Sequence, residues 1–355
     1  MFTKKIWTLI NCLIFGTIIF EGVVALNKPF FVQEERERKW KQLQISFPVP
    51  EGASYLQYEF SFPKKELEKE DIFFHYPFFL SSDNEDNIYV SDWRRNFILK
   101  FSYHGEFLKI IGRRGQGPGE FLNPLNICFD TKNNLIVYDS NNGRIQIFSP
   151  EGEYINSFKV FKTLSSIAAS GQYLIYTSPK SVQGPLIEIY NAEGKMVDFF
   201  GERINFKYNT VSHNEVHLSI NNEEELFVAW KYFPFVRRYA KEGKLLSEYS
   251  IKHKLMQERA KHNYKARMID GRLELNEIIK AIRAKEDGFY LFSYYPRIEI
   301  LEYNSKGEIK NIYWTNSPSF DYIGGDFIVM EKAKEKAFYV LQIYPDPKID
   351  VFFAK

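Results

Sequence analysis

The sequence predicts an all-β chain folded as a six-bladed β-propeller of four-stranded antiparallel blades. Three observations predict it: a repeat with a period of about 45 residues, an aromatic content of 17%, and short apolar runs separated by turn residues. Repeats of that length are typical of arrays and propellers, and aromatic side chains favour strands. Radial packing then lets each thin sheet bury both faces against its neighbours.

Two copies of the repeat align without a gap, Ile88 to Phe107 and Leu135 to Tyr154. In each copy an aspartate ends an apolar run, at Asp92 and at Asp139, which favours turn capping over acid catalysis. A glycine in a polar turn supplies the positive φ that a tight hairpin needs. Weaker copies follow at Tyr173 to Phe200, Leu226 to Tyr249 and Phe289 to Trp314, with a truncated copy at Phe338 to Val340 and Ile349 to Phe352.

Another apolar run precedes each copy, which makes four strands per unit. The sixth unit lacks its outer strand, whereas the strand-like segment Ser54 to Phe62 precedes the first unit. We therefore expect Ser54 to Phe62 to complete the last blade and close the ring, since closure removes exposed strand edges. The six preceding runs are Phe78 to Leu80, Ile127 to Phe129, Ile167 to Ala169, Val216 to Ile220, Ile278 to Ile282 and Phe327 to Met330.

The N-terminal segment has the pattern of an export signal. Lys4 and Lys5 precede the apolar run Ile6 to Phe20, and Val23 to Ala25 offers small residues for cleavage. The alternative is an uncleaved anchor, because the run up to Ala25 is long enough to span a bilayer. The predicted organisation is a signal peptide or anchor over 1–25, a charged tether or helix over 26–52 and the propeller over 53–355, in a protein exported to the periplasm or the cell exterior.

Net charge and cysteine content exclude two properties, nucleic-acid binding and an intrachain disulfide. A formal net charge of +2 lacks the basic surplus of a nucleic-acid-binding protein, so no nucleic acid partner is predicted. Once the signal is removed, Cys128 is the remaining cysteine, which rules out an intrachain disulfide and favours a small buried hydrophobic residue. We expect a monomer without a cofactor, in contact with a membrane only through a possible N-terminal anchor.

The stretch Gly112 to Phe121, followed by Pro124, Val137 to Asp139 and Arg144, resembles the NHL repeat of exported bacterial six-bladed propellers. The first two units match the repeat well and the later four in outline, and the first unit has Phe97 where the second has Arg144. The resemblance implies the propeller fold. Members of the family mostly bind proteins, glycans or other polymers, and a minority are lyases, hydrolases or ring-forming synthases.

Binding residues are expected on the face that carries the loops between second and third strands and the connections between blades. Aromatic and arginine side chains dominate these loops, and they suit stacking on sugars or gripping a peptide. The predicted ligand is a protein, a peptide or a glycan bound without covalent chemistry. The alternative is that the rings pack between blades and the arginines cap loop carbonyls. The candidate residues are Trp93, Arg94, Arg113, Arg114, Arg144, Trp230, Tyr232, Phe233, Tyr294, Tyr295, Arg297 and Tyr344.

The connection between Ile251 and Ile278 is unusually long and rich in helix formers. Its segment Lys254 to Arg267 predicts a short helical insertion between blades four and five. We interpret this insertion as a lid or lining of the central funnel. The alternative is a solvated decoration of the same face.

An enzymatic alternative is a metal-dependent lyase or hydrolase with its site in the central channel. His213 and His217 lie four residues apart, a spacing of about 13 Å along a strand and too wide for one ion. His75 and His217 fall near inner strands and are the weak metal candidates. No catalytic residue is assigned.

Overall fold

The structure is a computed structural model that describes residues 49–171, 174–206, 210–266, 268–269, 272–273, 275–294, 297–316, 323–332, 335–344 and 346–354. Its strands form six four-stranded antiparallel blades, which confirms the predicted propeller. The inner strand of each blade contacts the inner strands of both neighbouring blades, and the contact between the first and sixth completes the ring.

Strand β1 spans Ser54–Phe62 and precedes the first blade. Blade one contains β2 (Pro77–Ser82), β3 (Ile88–Asp92), β4 (Phe97–Phe101) and β5 (Phe107–Ile111). Blade two contains β6 (Pro124–Phe129), β7 (Leu135–Asp139), β8 (Arg144–Phe148) and β9 (Tyr154–Lys159). Blade three contains β10 (Leu164–Ala169), β11 (Ile175–Pro179), β12 (Ile187–Tyr190) and β13 (Met196–Phe200). Blade four contains β14 (Val216–Ile220), β15 (Leu226–Trp230), β16 (Phe235–Tyr239) and β17 (Leu245–Ser250).

Helix α1 (Lys254–Lys265) and a two-residue-strand hairpin, β18 (Met268–Ile269) with β19 (Arg272–Leu273), separate blades four and five. The helix confirms the predicted insertion. Blade five contains β20 (Ala281–Lys285), β21 (Gly288–Ser293), β22 (Ile298–Asn304) and β23 (Ile309–Thr315). Blade six contains β24 (Ile323–Lys332), β25 (Glu335–Tyr344) and β26 (Lys348–Ala354). Short 3-10 helices lie at Lys65–Glu70, Ser140–Asn142 and Val211–Asn214.

Strand β1 closes the ring as the outer strand of blade six. It pairs antiparallel with β26, with Leu56 opposite Ala354 and Phe62 opposite Ile349. Its first residue, Ser54, also pairs with Tyr313 at the outer edge of blade five. This pairing confirms the expectation that the N-terminal strand completes the last blade.

The core consists of six hydrophobic clusters, one at each interface between neighbouring blades of the described chain. The second strands β3, β7 and β15 are buried at every position. Such continuous burial follows from radial packing, because a blade presses on its neighbours with both faces. Folding energy therefore resides between the blades rather than within one of them.

The inner strand of blade five begins three residues later than Ile278 to Ile282 predicts. The backbone amides of Ile278 and Ile279 both donate to the carbonyl of Lys231, at 2.7 and 3.0 Å. These two residues therefore bind the residue that directly follows the second strand of blade four before the chain enters β20. A tertiary contact, invisible in a local apolar pattern, sets this boundary.

The strand-ending aspartates cap the connections between blades, as predicted. The Asp92 carboxylate accepts from the backbone amides of His75 and Tyr76, at 2.6 and 3.2 Å, and that of Asp139 accepts from Leu122 at 2.8 Å. These bonds fix where each connection enters the next inner strand.

The glycine-rich stretch Gly112 to Gly119 forms part of the turn between β5 and β6. Gly112 has a φ of +79°, and a Cβ there would lie 2.3 Å from the Phe121 ring, so glycine is required. This geometry agrees with a tight turn between blades.

The predicted signal or anchor over 1–25 and nearly all of the 26–52 tether lie outside the described residues. Within the described ranges, no helix has the length and apolar character that a membrane crossing requires.

Candidate functional site: the loop face and the channel mouth

The six inner strands surround a central cavity of 190 Å³. Side chains tie neighbouring inner strands together: the Ser166 hydroxyl accepts from the amide of Leu218 at 3.1 Å, and that of Ser219 accepts from Ala284 at 2.8 Å. The cavity is polar, because hydroxyl, imidazole and charged groups alternate with the apolar residues of each strand. Its polar lining includes Ser81, Asn126, Ser166, His217, Arg283 and Asp326.

Five residues occupy the end of this channel on the loop face, the end that carries the second-to-third-strand loops and the blade connections. Tyr76, Glu215 and Lys280 each directly precede an inner strand, whereas Lys180 and Lys231 each directly follow a second strand. The strand register puts these positions at one level, and the Lys231 amide donates to the Glu215 carbonyl at 3.1 Å. These five residues are termed the channel mouth.

Two lysines of the channel mouth share a single carboxylate oxygen. The Lys180 ammonium lies 2.9 Å from Oε2 of Glu215, and the Lys231 ammonium lies 3.4 Å from the same atom. Burial favours a raised pKa for Glu215, but Lys231 and Lys180 outweigh it and hold the pKa below the ordinary value. Burial in turn lowers the pKa of Lys231, against the opposing pull of Glu215. The single Glu215 carboxylate therefore forms ion pairs with two ammonium groups.

Lys280 adds a further cation on blade five. Its ammonium pairs with Glu277 and lies 4.8 Å from the centre of the Tyr294 ring. Burial raises the pKa of Tyr76 on blade one, while Arg94 and Lys280 act to lower it. The charge of Lys280 on blade five therefore acts on a side chain of blade one, with blade six between the two blades.

His217 lines the cavity beneath the channel mouth and is 8% exposed. Burial and the charges of Lys231, Lys280 and Arg283 hold its pKa well below the ordinary value of 6.5, against the opposing effect of a hydrogen bond to the Ile279 backbone, so the imidazole is neutral. Its Nε2 atom is buried and has no hydrogen-bond partner among the described residues. Buried polar atoms are normally hydrogen-bonded, and Nε2 is one of several among the described residues that are not.

The other metal candidate, His75, is exposed, and its backbone amide is held by Asp92. Among the residues that the structure describes, no three His, Cys, Asp or Glu side chains lie close enough together to hold a metal ion. Cys128 also borders the cavity, and burial raises the pKa of its thiol, which disfavours the reactive thiolate.

Several predicted binding residues lie at the surface of the loop face. Arg94 is exposed with its guanidinium 5.3 Å from the centre of the Tyr76 ring, and Trp93 is half-buried against Tyr76. Arg113 is exposed and paired with Glu120 at 2.9 Å. Arg114 is exposed, Tyr294 and Tyr344 are half-buried, and Tyr295 lies outside the described residues.

Five other predicted residues are buried and take structural contacts. Trp230 and Phe233 are 0% exposed and belong to the cluster between blades three and four, with Tyr232 beside them. Arg144 donates to Asp139 at 2.8 Å and to loop carbonyls, and Arg297 donates to Glu299 at 2.6 Å. These side chains stabilise the loops from within the protein. Their burial leaves almost no side-chain surface that a ligand could contact.

Helix α1 packs onto the loop face beside the channel mouth. Met256 and Ala260 enter the cluster between blades four and five. Asn263 donates to the carbonyls of Tyr232 and Asn276 at 2.5 and 2.8 Å. Arg259 donates to the Glu277 carbonyl at 2.8 Å, which brings the helix next to the partner of Lys280. The proposed role of the helix as a lid or lining remains a prediction.

The loop face also exposes apolar side chains that the sequence analysis did not single out. Phe161 is 98% exposed on the connection between blades two and three. Val182 lies on the β11–β12 loop, Val211 on the connection between blades three and four, and Tyr264 on helix α1, and all three are also exposed. These four exposed apolar side chains, which belong to the sector from blade two to blade five, are termed the apolar arc. Exposed apolar side chains that share one face favour an interaction surface.

The channel mouth could have been found from the repeat itself. Lys180 and Lys231 occupy the position that follows the second strand, where the first repeat has Trp93. Residues at equivalent repeat positions meet around the axis, so two lysines there predict a local concentration of positive charge. The exposure of Phe161 could not have been predicted in this way. A single phenylalanine in a loop is equally compatible with a buried position in the core.

Comparison with known proteins agrees with this fold. A family model described as a 6-bladed beta-propeller matches residues 80–222. The chain is 31% identical over 115 residues to Protein brain tumor of Drosophila melanogaster, a match that covers 30% of this chain and 10% of that protein. The chain spans a tenth or less of the length of the curated relatives it matches.

Two solved structures share the propeller architecture. A Bacteroides fragilis protein provisionally described as exported has a TM-score of 0.57 and 10% identity, over 86% of this chain and 96% of that one. A streptogramin B lyase has a TM-score of 0.51 and 12% identity, over 84% of this chain and 87% of the lyase. Identities this low support the fold alone.

Proposed function

We propose that this protein is an exported, NHL-like propeller that binds a peptide segment of a partner protein on its loop face, without covalent chemistry. The observation that carries the proposal is the apolar arc, which shares the loop face with the positively charged channel mouth. A peptide combines apolar side chains with charged groups, so it matches both parts of this surface.

The burial of the aromatic side chains favours a peptide over a glycan. Stacking on sugars requires accessible ring faces, and Trp230 and Phe233 present none. Trp93 is half-buried, with its ring 6.1 Å from Tyr76 and 6.3 Å from Phe78. Phe161, by contrast, projects fully into solvent as an anchor for an apolar pocket or side chain.

Phe161→Ser should weaken peptide binding by at least about tenfold, because a protruding aromatic anchor commonly dominates such interfaces. The full chain would be screened against a random peptide library on phage and, in parallel, against a glycan array. Affinities of the selected peptides would be measured by calorimetry for the original chain and the variant.

Leu245→Ser is the control, since Leu245 is 47% exposed at the first position of the outer strand β17, at the end far from the loop face. We expect this control to keep the original affinity. Equal binding by both variants, or selection of glycans with no peptide, would contradict the proposal.

Export is a separate part of the proposal, supported by the basic residues Lys4 and Lys5 and the apolar run after them. When the full chain is expressed in a bacterial host, we expect mass spectrometry to find a mature N-terminus directly after Ala25. A full-length chain in the membrane fraction would instead support the anchor. A full-length chain confined to the cytoplasm would refute export.

A further inference from the structure

The two ends of the propeller differ in charge. The channel mouth carries Lys180, Lys231 and Lys280 with the acid Glu215, and Glu277 pairs with Lys280 beside it. The turns of the opposite face, between first and second and between third and fourth strands, carry more acids than bases. Examples are Glu85, Asp86, Glu151, Glu223, Glu224 and Asp287. A chain with nearly balanced total charge therefore presents a basic end, which selects for an acidic partner.

The positive charge at the channel mouth is only partly neutralised. Glu215 Oε2 is shared by Lys180 and Lys231, whereas Lys280 pairs with the Glu277 carboxylate, so three ammonium groups face two carboxylates. Lys231 and Lys280 are 12% and 6% exposed at their side chains. Buried charges of one sign are costly unless a counter-charge joins them, so the arrangement favours an incoming anion.

His217 is a second, independent indication of a ligand. His217 lines the cavity just beneath these lysines, and its buried Nε2 has no hydrogen-bond partner among the described residues. Buried imidazole nitrogens are normally hydrogen-bonded to protein or to an ordered water. A polar group held at the channel mouth, directly or through one water, would supply that partner.

We propose that the channel mouth is the subsite for a carboxylate of the bound peptide, held by the ammonium groups of Lys231 and Lys280 above His217. This inference rests on the proposed peptide-binding function and names the group that enters the channel. The carboxylate is either the C-terminus of the peptide or an aspartate or glutamate side chain. The apolar arc then contacts the residues that flank it.

The first test uses a small anion, so that it does not depend on a peptide. N-acetylglutamate would be titrated into the full chain while the imidazole resonances are followed by NMR, with the His217 signal assigned from His217→Gln. We expect the His217 resonance to shift saturably, and that of the exposed His104 on the opposite face to stay in place. No shift at His217 would overturn the carboxylate subsite.

The second test uses two variants with opposite expected effects on a library-selected peptide. Lys280→Met removes a donor and should weaken binding by at least about tenfold, the value of one charge-assisted hydrogen bond. Glu215→Gln removes the competing acid and should tighten binding. Lys195→Met, an exposed lysine in the β12–β13 turn of the opposite face, should change nothing. Weakening by both mouth variants would show a structural role and overturn the proposal.

Peptide chemistry separates the two sources of the carboxylate. Loss of binding on C-terminal amidation identifies the terminus, and loss on replacing the peptide's acidic side chains by amides identifies a side chain. Binding that survives both changes overturns the subsite while leaving the peptide-binding function intact. A His217 shift with no peptide selected supports the subsite and refutes the peptide partner. Selection of acidic glycans that lose affinity in Lys280→Met would refute the peptide source.

Discussion

Phe62→Ala should lower the free energy of unfolding by about 3–5 kcal/mol, the usual cost of truncating a fully buried phenylalanine. Phe62 is 1% exposed at the end of β1, and its ring lies 5.0 Å from Phe101 of blade one and 6.4 Å from Tyr339 of blade six. The side chain therefore joins the first and last blades. Its loss weakens the interface that keeps the ring shut, and equilibrium denaturation in urea would measure the change.

Tyr58→Ala is the matched control on the same strand, because Tyr58 is 53% exposed. We expect it to cost less than about 1 kcal/mol. We also expect Phe62→Ala to aggregate sooner on heating, as followed by light scattering, because release of β1 bares the edge of β26. Equal destabilisation by the two variants would mean that closure does not depend on this contact.

Asp326→Ala should destabilise the protein by about 3 kcal/mol, since removing one partner of a buried ion pair leaves the other uncompensated. The Asp326 carboxylate lies 2.6 Å from the Arg283 guanidinium and accepts from the backbone amide of Leu80 at 3.0 Å. These contacts connect blades six, five and one at the wall of the cavity. The alanine variant leaves Arg283 and the Leu80 amide without this acceptor, and chemical denaturation would show the loss.

Asp287→Ala is the matched control, because it removes an aspartate that lies at the surface instead of at the cavity wall. Asp287 is 58% exposed at its side chain and pairs with Lys285 and Lys310 at the surface. Exposed pairs are worth little, so we expect a change below about 1 kcal/mol. If Asp326→Ala were as mild as Asp287→Ala, the link across the channel would carry no stability.

The blade pattern was predictable because it is local and repeated. Turn glycines, strand-ending aspartates and apolar runs recur in each unit, and the missing strand of the sixth unit pointed to Ser54 to Phe62. The start of blade five was not predictable in this way. Ile278 and Ile279 have the apolar character of a strand, but their amides bind the Lys231 carbonyl of another blade.

The loop face was predictable in outline and its exposed residues were not. Trp230 stands at the last position of β15, opposite Val216, where it is enclosed between blades. Its place among loop residues in the sequence gave no hint of that enclosure. Phe161 was passed over although it is the most exposed of the large apolar residues of the described chain. Solvent exposure depends on neighbours from other blades, which a single chain segment does not reveal.

The direction of β1 fixes how an attached propeller would be displayed. This strand enters blade six where the other blades have the turn between third and fourth strands, so residue 54 begins on the acidic face. A tether ahead of residue 54 would therefore join the propeller on the face opposite the loop face. The channel mouth and the apolar arc lie at the opposite end of the propeller, so an anchor on the N-terminal side would leave both accessible to a partner in solution.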